Sequence, residues 1–181
     1  MLIVTALLAF ALLIWAVVLY NLLVRDRHRV AAAWSDVDVQ LKRRHELIPK
    51  LVDAVKQHAS YERGVLESLV QLRADALAAG SPQVRQRPES ALGSGLQRLI
   101  AVAERYPDLK ASQSFLDLQH NLSQVEEFVQ HARRYYNGTV NNLNTRVDTF
   151  PDLLIARGFG LRPAEYFQLD AASECAAKEV S

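Results

Sequence analysis

No charged side chain precedes Arg25, and between Leu2 and Val24 only Thr5 and Asn21 interrupt a run of Leu, Ile, Val, Ala, Phe, Trp and Tyr. Wound as an α-helix at about 1.5 Å per residue, that run is as long as the ~30 Å hydrocarbon core of a bilayer is thick. Lipid offers no hydrogen-bond partners, so a spanning segment must satisfy its own backbone, and a helix does so. Two other readings compete. A cleaved signal peptide opens on basic residues and closes on a small-x-small site; here no Lys or Arg precedes the run, which continues through Trp15 and Tyr20. A core helix of a soluble domain is shorter. Residues 1–24 are therefore expected to form an uncleaved transmembrane anchor.

The flanks orient it. Arg25, Arg27 and Arg29 follow the run directly, and Lys42, Arg43 and Arg44 come soon after. Basic residues beside a span stay on the cytoplasmic side, which predicts an outside N-terminus and a cytoplasmic C-terminal domain. These six residues are also candidate contacts for anionic headgroups or an acidic partner, each worth about 1 kcal/mol near a charged surface. The competing view is a solvated helix face. With 21 basic and 20 acidic residues, the chain has no surplus of charge for binding nucleic acid. Cys175 is the one cysteine, which rules out an internal disulfide and suits a reducing compartment.

Beyond the anchor the pattern is helical. Val30, Trp34, Val37, Leu41, Ile48, Val52, Val55 and Ala59 recur at threes and fours with one polar step near His45. The phase persists through Pro49, which predicts a kink rather than a stop and a helix continuing through Leu66 and Leu69 towards Leu77. If the membrane helix runs straight into Val30, the whole becomes one stalk-like rod. Gly80 to Ser90, polar with two prolines, reads as a mobile loop. A shorter helix carries Leu92, Leu96, Leu99, Ile100 and Ala103 and ends near Tyr106-Pro107; Ser114 and Asp117 are placed for a capping box. From Phe115 to Val147 the apolar spacing approaches a heptad repeat, the mark of lengthwise packing against another long helix. Glu126, Glu127, Arg133 and Arg134 fall on its opposite, solvated side. Pro151 opens a short helix that Gly158 closes, and residues 168–181 form a flexible tail. The fold class that buries these stripes is all-α: an N-terminal transmembrane helix followed by an antiparallel bundle of three to four helices, two of them long, over residues 25–167.

Chemistry is sparse. No histidine has a Glu three residues before it, as di-iron bundles require, and His120 with Asp117 is a single weak match. His58 with Glu62, and Glu127 with His131, have the spacing of surface pairs. Gly158-Phe159-Gly160 lacks the strand–helix context of a phosphate loop. No nucleophile motif stands out. The sequence therefore assigns no catalytic residue, metal or cofactor.

The order of motifs resembles the LemA family of bacterial membrane proteins. The matching pieces are YNLLVRDRHRV, AAAWSDVDVQLKRRHELIPKLVDAVK, YPDLKASQSFLDLQHNL, RRYYNGTVNNLNT and FPDLLIARGFG, in that order from residue 20 to a nearby Tyr166-Phe167. The resemblance implies a single N-terminal anchor in the bacterial inner membrane and a helical domain. It marks Trp34, Gln40, Pro49, Tyr106, Pro107, Tyr136, Asn137, Asn144, Phe150 and Pro151 as family-defining, mostly for packing. Lys50 stands where the family pattern has Asn, and HASYER replaces a stretch containing His-Glu. The family has no firmly established activity; its members are often encoded near membrane proteases, which implies an accessory role in the envelope. The resulting expectation is a scaffold or adaptor that recruits protein partners or self-associates. A lipid or small-ligand sensor is the alternative.

Overall fold

The computed structural model describes residues 1–59, 61–80 and 82–168. Among them are six helices and no strand: α1 (Leu2–His58), α2 (Arg63–Ala78), α3 (Pro82–Ala103), α4 (Pro107–Lys110), α5 (Gln113–Asp148) and α6 (Asp152–Gly158). The fold is all-α, with the apolar run at the front of α1 and two long helices, as the periodicity requires. Residue 24 marks no break, because α1 carries its helical hydrogen bonds straight from the apolar run into the arginines. The chain divides into two compact units, Met1–Val37 with Ala132–Tyr166, and Asp38–His131 with the segment from Phe167. The expected tail lies, from residue 169 and including Cys175, outside the described residues.

In the first unit the front of α1 exposes its apolar side chains, and it is long and apolar enough to cross a membrane. Burial begins at Leu19 and Leu23 and continues at Val30, Ala33 and Val37; Tyr136, Val140, Leu143 and Val147 of α5 and Ala156 of α6 are buried in the same unit. The helices run antiparallel: Asp26 meets Arg146, and further along α1 Trp34 meets Tyr136. The Trp34 and Tyr136 rings stand edge to face with centroids 5.4 Å apart, an arrangement aromatic quadrupoles favour.

The second unit is built from the rest of α1, from α2, α3 and α4, and from the first part of α5. Its core gathers Ile48, Leu51 and Val55 with Leu66 and Leu69, with Leu92, Leu96 and Leu99, and with Phe115 and Leu122. Glu62 pairs with Arg105 at one end of the α2–α3 hairpin, and Arg85 Nε donates to the Ala79 carbonyl at the other (3.1 Å). α1 and α3 run parallel, since Asp38 pairs with Arg85 and Arg44 with Glu89. Short connections then alternate the four main helices in direction, the up-down-up-down order of a bundle. α2 and α3 approach closely at Gly95, where a Cβ would lie 2.9 Å from Leu72 Cδ1 and 3.1 Å from Leu69 Cδ1.

Three local expectations are corrected. The helix through Pro49 does not reach Leu77; it stops at His58 and α2 begins at Arg63. A straight rod would carry Leu66 and Leu69 away from Ile48, Leu51 and Val55, so burying them together outweighs local propensity. The segment read as a mobile loop is largely helix: Pro82 starts α3, where its missing N–H costs nothing, and Pro88 is accommodated inside. The capping box does not form, because α5 already begins at Gln113, whose side-chain amide donates to Asp117 (2.9 Å).

Candidate functional site

The polar step in the α1 stripe is the most unusual place in the molecule. Counting from Leu41 by the helical interval lands on Arg44 and His45 before the stripe resumes at Ile48, and both side chains are buried, Arg44 at 2% exposure. The partner is Glu89 on α3, at 0% exposure. Arg44 Nη2 forms an ion pair with the Glu89 carboxylate and donates to the Glu89 backbone carbonyl (3.2 Å). Arg44 Nη1 reaches the Glu126 carboxylate on α5 (3.2 Å to Oε1, 3.4 Å to Oε2). His45 Nε2 straddles the Glu89 carboxylate, 3.0 Å from Oε1 and 3.3 Å from Oε2, with its hydrogen bond aligned on Oε2. α2 closes the fourth side, since Arg73 Nε donates to the His45 carbonyl (2.9 Å). One cluster thus ties together all four main helices of its unit.

Its electrostatics favour a charged Glu89. Burial pushes the Glu89 carboxyl up, but the hydrogen bond from His45 and the charges of Arg44 and His45 override it and hold the group below the ordinary glutamate value. A carboxylate held ionised in this way is a poor proton acceptor, and one with no exposed surface meets no substrate. What the cluster can do is specify: the pairing is satisfied only when α1, α3 and α5 sit in one register. Arg44 Nε, His45 Nδ1 and Gln40 Oε1 have no hydrogen-bond partner among the described residues. Nor, among those residues, does any group of three or more His, Cys, Asp or Glu have the placement to hold a metal ion.

The basic residues singled out in the sequence separate into two classes. Arg25, Arg27, Arg29, Lys42 and Arg43 are exposed, whereas Arg44 is buried in the cluster and offers nothing to a headgroup or an external partner. That corrects its assignment to an exposed basic surface, and the reason is its phase: Arg44 faces with Leu41 and Ile48. Glu126 is likewise corrected from solvated face to Arg44 partner. Lys42 Nζ pairs with Asp38 (2.7 Å), which also meets Arg85. Partial burial raises the Asp38 carboxyl, and these two cations outweigh it, leaving it below the usual range. Of the histidine pairs, His131 and Glu127 stand 3.5 Å apart on the surface as spaced, whereas Glu62 bonds Arg105 (3.0 Å) and His58 Nδ1 lies against the Ala54 carbonyl.

The first unit holds a second polar assembly where α1 leaves its apolar run. Buried Asp26 receives Arg146 Nη1 (2.9 Å) and Arg29 Nη1 (3.2 Å), and Arg146 Nε reaches Asp152 (3.2 Å). Further along α5, Asn144 grips the backbone of Ala164 from both sides: Nδ2 donates to its carbonyl (2.8 Å) and Oδ1 accepts from its N–H (2.7 Å). Tyr136 Oη donates to the Glu165 carbonyl (2.9 Å). Burial and the nearby Glu165 charge raise the Tyr136 phenol above its ordinary value.

Asp26, Arg44, His45, Tyr136, Asn144 and Asp152 fall on the blocks that suggested a family, and a comparison with known protein families decides the matter: the model for the LemA family matches residues 33–181. The chain belongs to the LemA family. Among curated relatives it is similar to protein LemA of Metamycoplasma hominis, 26% identical over 153 residues covering 82% of this chain and 68% of the relative. It is also similar to magnetosome protein MamQ 2 of Paramagnetospirillum magneticum, 23% identical over 181 residues covering 86% of this chain and 66% of the relative. Magnetosome protein MamQ of Magnetospirillum gryphiswaldense is 21% identical over the same span. The chain thus spans about two thirds of the length of the MamQ relatives.

Within this LemA-family chain the family-marked residues have structural jobs. Trp34 packs on Tyr136, Asn144 holds the segment after α6, and Pro151 caps the start of α6. Both Asn144 bonds are to backbone atoms of Ala164. Sequence reasoning missed Glu89 altogether, because it lay in the presumed loop. One signal was available: stepping back three residues from Leu92 along the stripe of Leu92, Leu96 and Leu99 reaches Glu89.

Proposed function

We propose that this protein is a single-pass scaffold or adaptor of the bacterial cell envelope. In this reading the apolar front of α1 spans the inner membrane, the N-terminus lies outside, and the helical part on the cytoplasmic side recruits protein partners or further copies of itself. The observation that carries the reading is the continuity of α1. Its apolar front and its packed stretch from Leu19 to Val37 are one helix with no linker, so α5 and α6 are held directly against the membrane exit. Family membership and the membrane-suited apolar run support a membrane-associated helical protein; recruitment is our extension. Exposed Arg25, Arg27, Arg29, Lys42 and Arg43 suit headgroup contact, and for the first three proximity to the apolar run favours it.

Three measurements test this. Alkaline carbonate extraction should leave the full-length chain in the membrane fraction, and a reporter fused after Ser181 should be active only in the cytoplasm. Crosslinking at native abundance in cells should yield discrete higher-mass species that contain the chain. Finding only free monomer, or a periplasmic reporter signal, overturns the scaffold or the orientation respectively.

A further inference from the structure

The corner between α5 and α6 turns apolar side chains outward. Phe150, Leu154 and Phe159 are exposed at 77%, 61% and 64%, an apolar surface that a soluble corner of this size has no reason to show. Phe150 and Leu154 are four residues apart, and Phe159 follows directly after α6, so all three belong to one short structural feature. Its height along α1 is fixed by contacts within the first unit. The Phe159 ring touches Tyr20 (centroids 4.6 Å), and Arg146 at the end of α5 pairs with Asp26. Tyr20 lies one turn before the first charged residue, Arg25. The exposed apolar side chains of the corner therefore stand level with the place where α1 leaves the hydrocarbon.

Charge is arranged in the same sense. Asp152, the acid inside α6, is turned inward onto Arg146, while Arg157 remains exposed one turn from Leu154. Apolar groups flanked by arginine, next to a spanning segment, are what a headgroup–acyl boundary accepts. We propose that the α5–α6 corner is a second membrane contact, with Phe150, Leu154 and Phe159 embedded in the interface of the leaflet at the C-terminal end of the span. Bilayer lipid is the occupant because the exposed patch is continuous, through Tyr20 and Phe159, with the apolar surface of α1. The contact would fix the rotation of α1 about its axis, which a lone spanning helix leaves free.

The inference rests on α1 being embedded, so the test carries its own control for that. Full-length protein with Cys175→Ser and a single Leu154→Cys or Phe150→Cys is labelled with nitrobenzoxadiazole. It is then reconstituted in vesicles of phosphatidylcholine and phosphatidylglycerol, with or without spin-labelled phosphatidylcholine. Val17→Cys in the apolar run and Val70→Cys on exposed α2 serve as references. The expected result is blue-shifted emission at Leu154 and Phe150, quenched by a shallow spin label at a depth of about 5–10 Å, with Val70 water-like. Water-like emission at both corner positions with Val17 quenched overturns the corner contact and leaves the anchor standing. Blue-shifted but unquenched emission at the corner means a protein or a second copy covers it, which also overturns the proposal. Water-like emission at Val17 removes the anchor itself.

Discussion

Arg44→Met is the most informative single substitution. Methionine approximates the volume and length of the arginine stem, so the change removes charge with little loss of packing. Glu126 is half-open to solvent, and losing an ion pair there costs at most about 1 kcal/mol. Glu89 is different: with no exposed surface it keeps only His45, and an ionised group left in that condition costs about 3–5 kcal/mol. For a chain of this size each kcal/mol moves the melting temperature by about 2–4 °C, so a fall of roughly 6–20 °C is expected. Circular dichroism of the full-length protein in detergent micelles reads it. Arg44→Met with Glu89→Met should recover most of the loss, because replacing a whole buried ion pair by apolar groups is neutral to stabilising by about 1–4 kcal/mol. The pH dependence supplies a second signature. A carboxyl held below its ordinary value of 4.5 contributes fully above that value, and the contribution disappears as pH falls through the lower folded value. Glu89→Met should therefore flatten the acid limb, leaving the part that belongs to Asp38, whose shift has the same sign. A melting temperature unchanged within about 2 °C for Arg44→Met, or a double variant worse than the single, would refute the account of the cluster.

Tyr136→Phe should cost about 0.5–1.5 kcal/mol at neutral pH through the lost bond to the Glu165 carbonyl. The wild type should also lose stability as pH rises above 10 through the raised folded value of this phenol, an alkaline limb that the phenylalanine variant lacks in part. Asn144→Ala removes both bonds to Ala164, and hydrogen exchange at the Ala164 amide should accelerate about tenfold or more while the exchange of Leu92 and Leu96 is unchanged. Gly95→Leu forces a side chain between α2 and α3 where even a Cβ is tight, and should lower stability by about 1–3 kcal/mol in the same melting assay.

The apolar run, the long helix from Phe115 to Val147 and the family blocks were legible because each is written along the chain. Length marks a membrane-suited helix, and the heptad interval from Phe115 through Leu122, Val129, Tyr136 and Leu143 marks a buried face. Such periodicity reports which side of a helix leaves water, whatever stands there. By that rule Arg44 already lay on the buried side, yet its charge argued for the surface, and only a partner on another helix could decide between them. Tertiary structure supplied Glu89, and with it the helix through Gln83–Ser90 that composition alone would make a loop. It also ended α1 at His58, since folding α2 back on Ile48 and Val55 buries more than prolonging a rod would. Intervals along one helix specify a face; what a charged side chain meets on that face depends on segments distant in sequence, and their meeting exists only once the chain has packed.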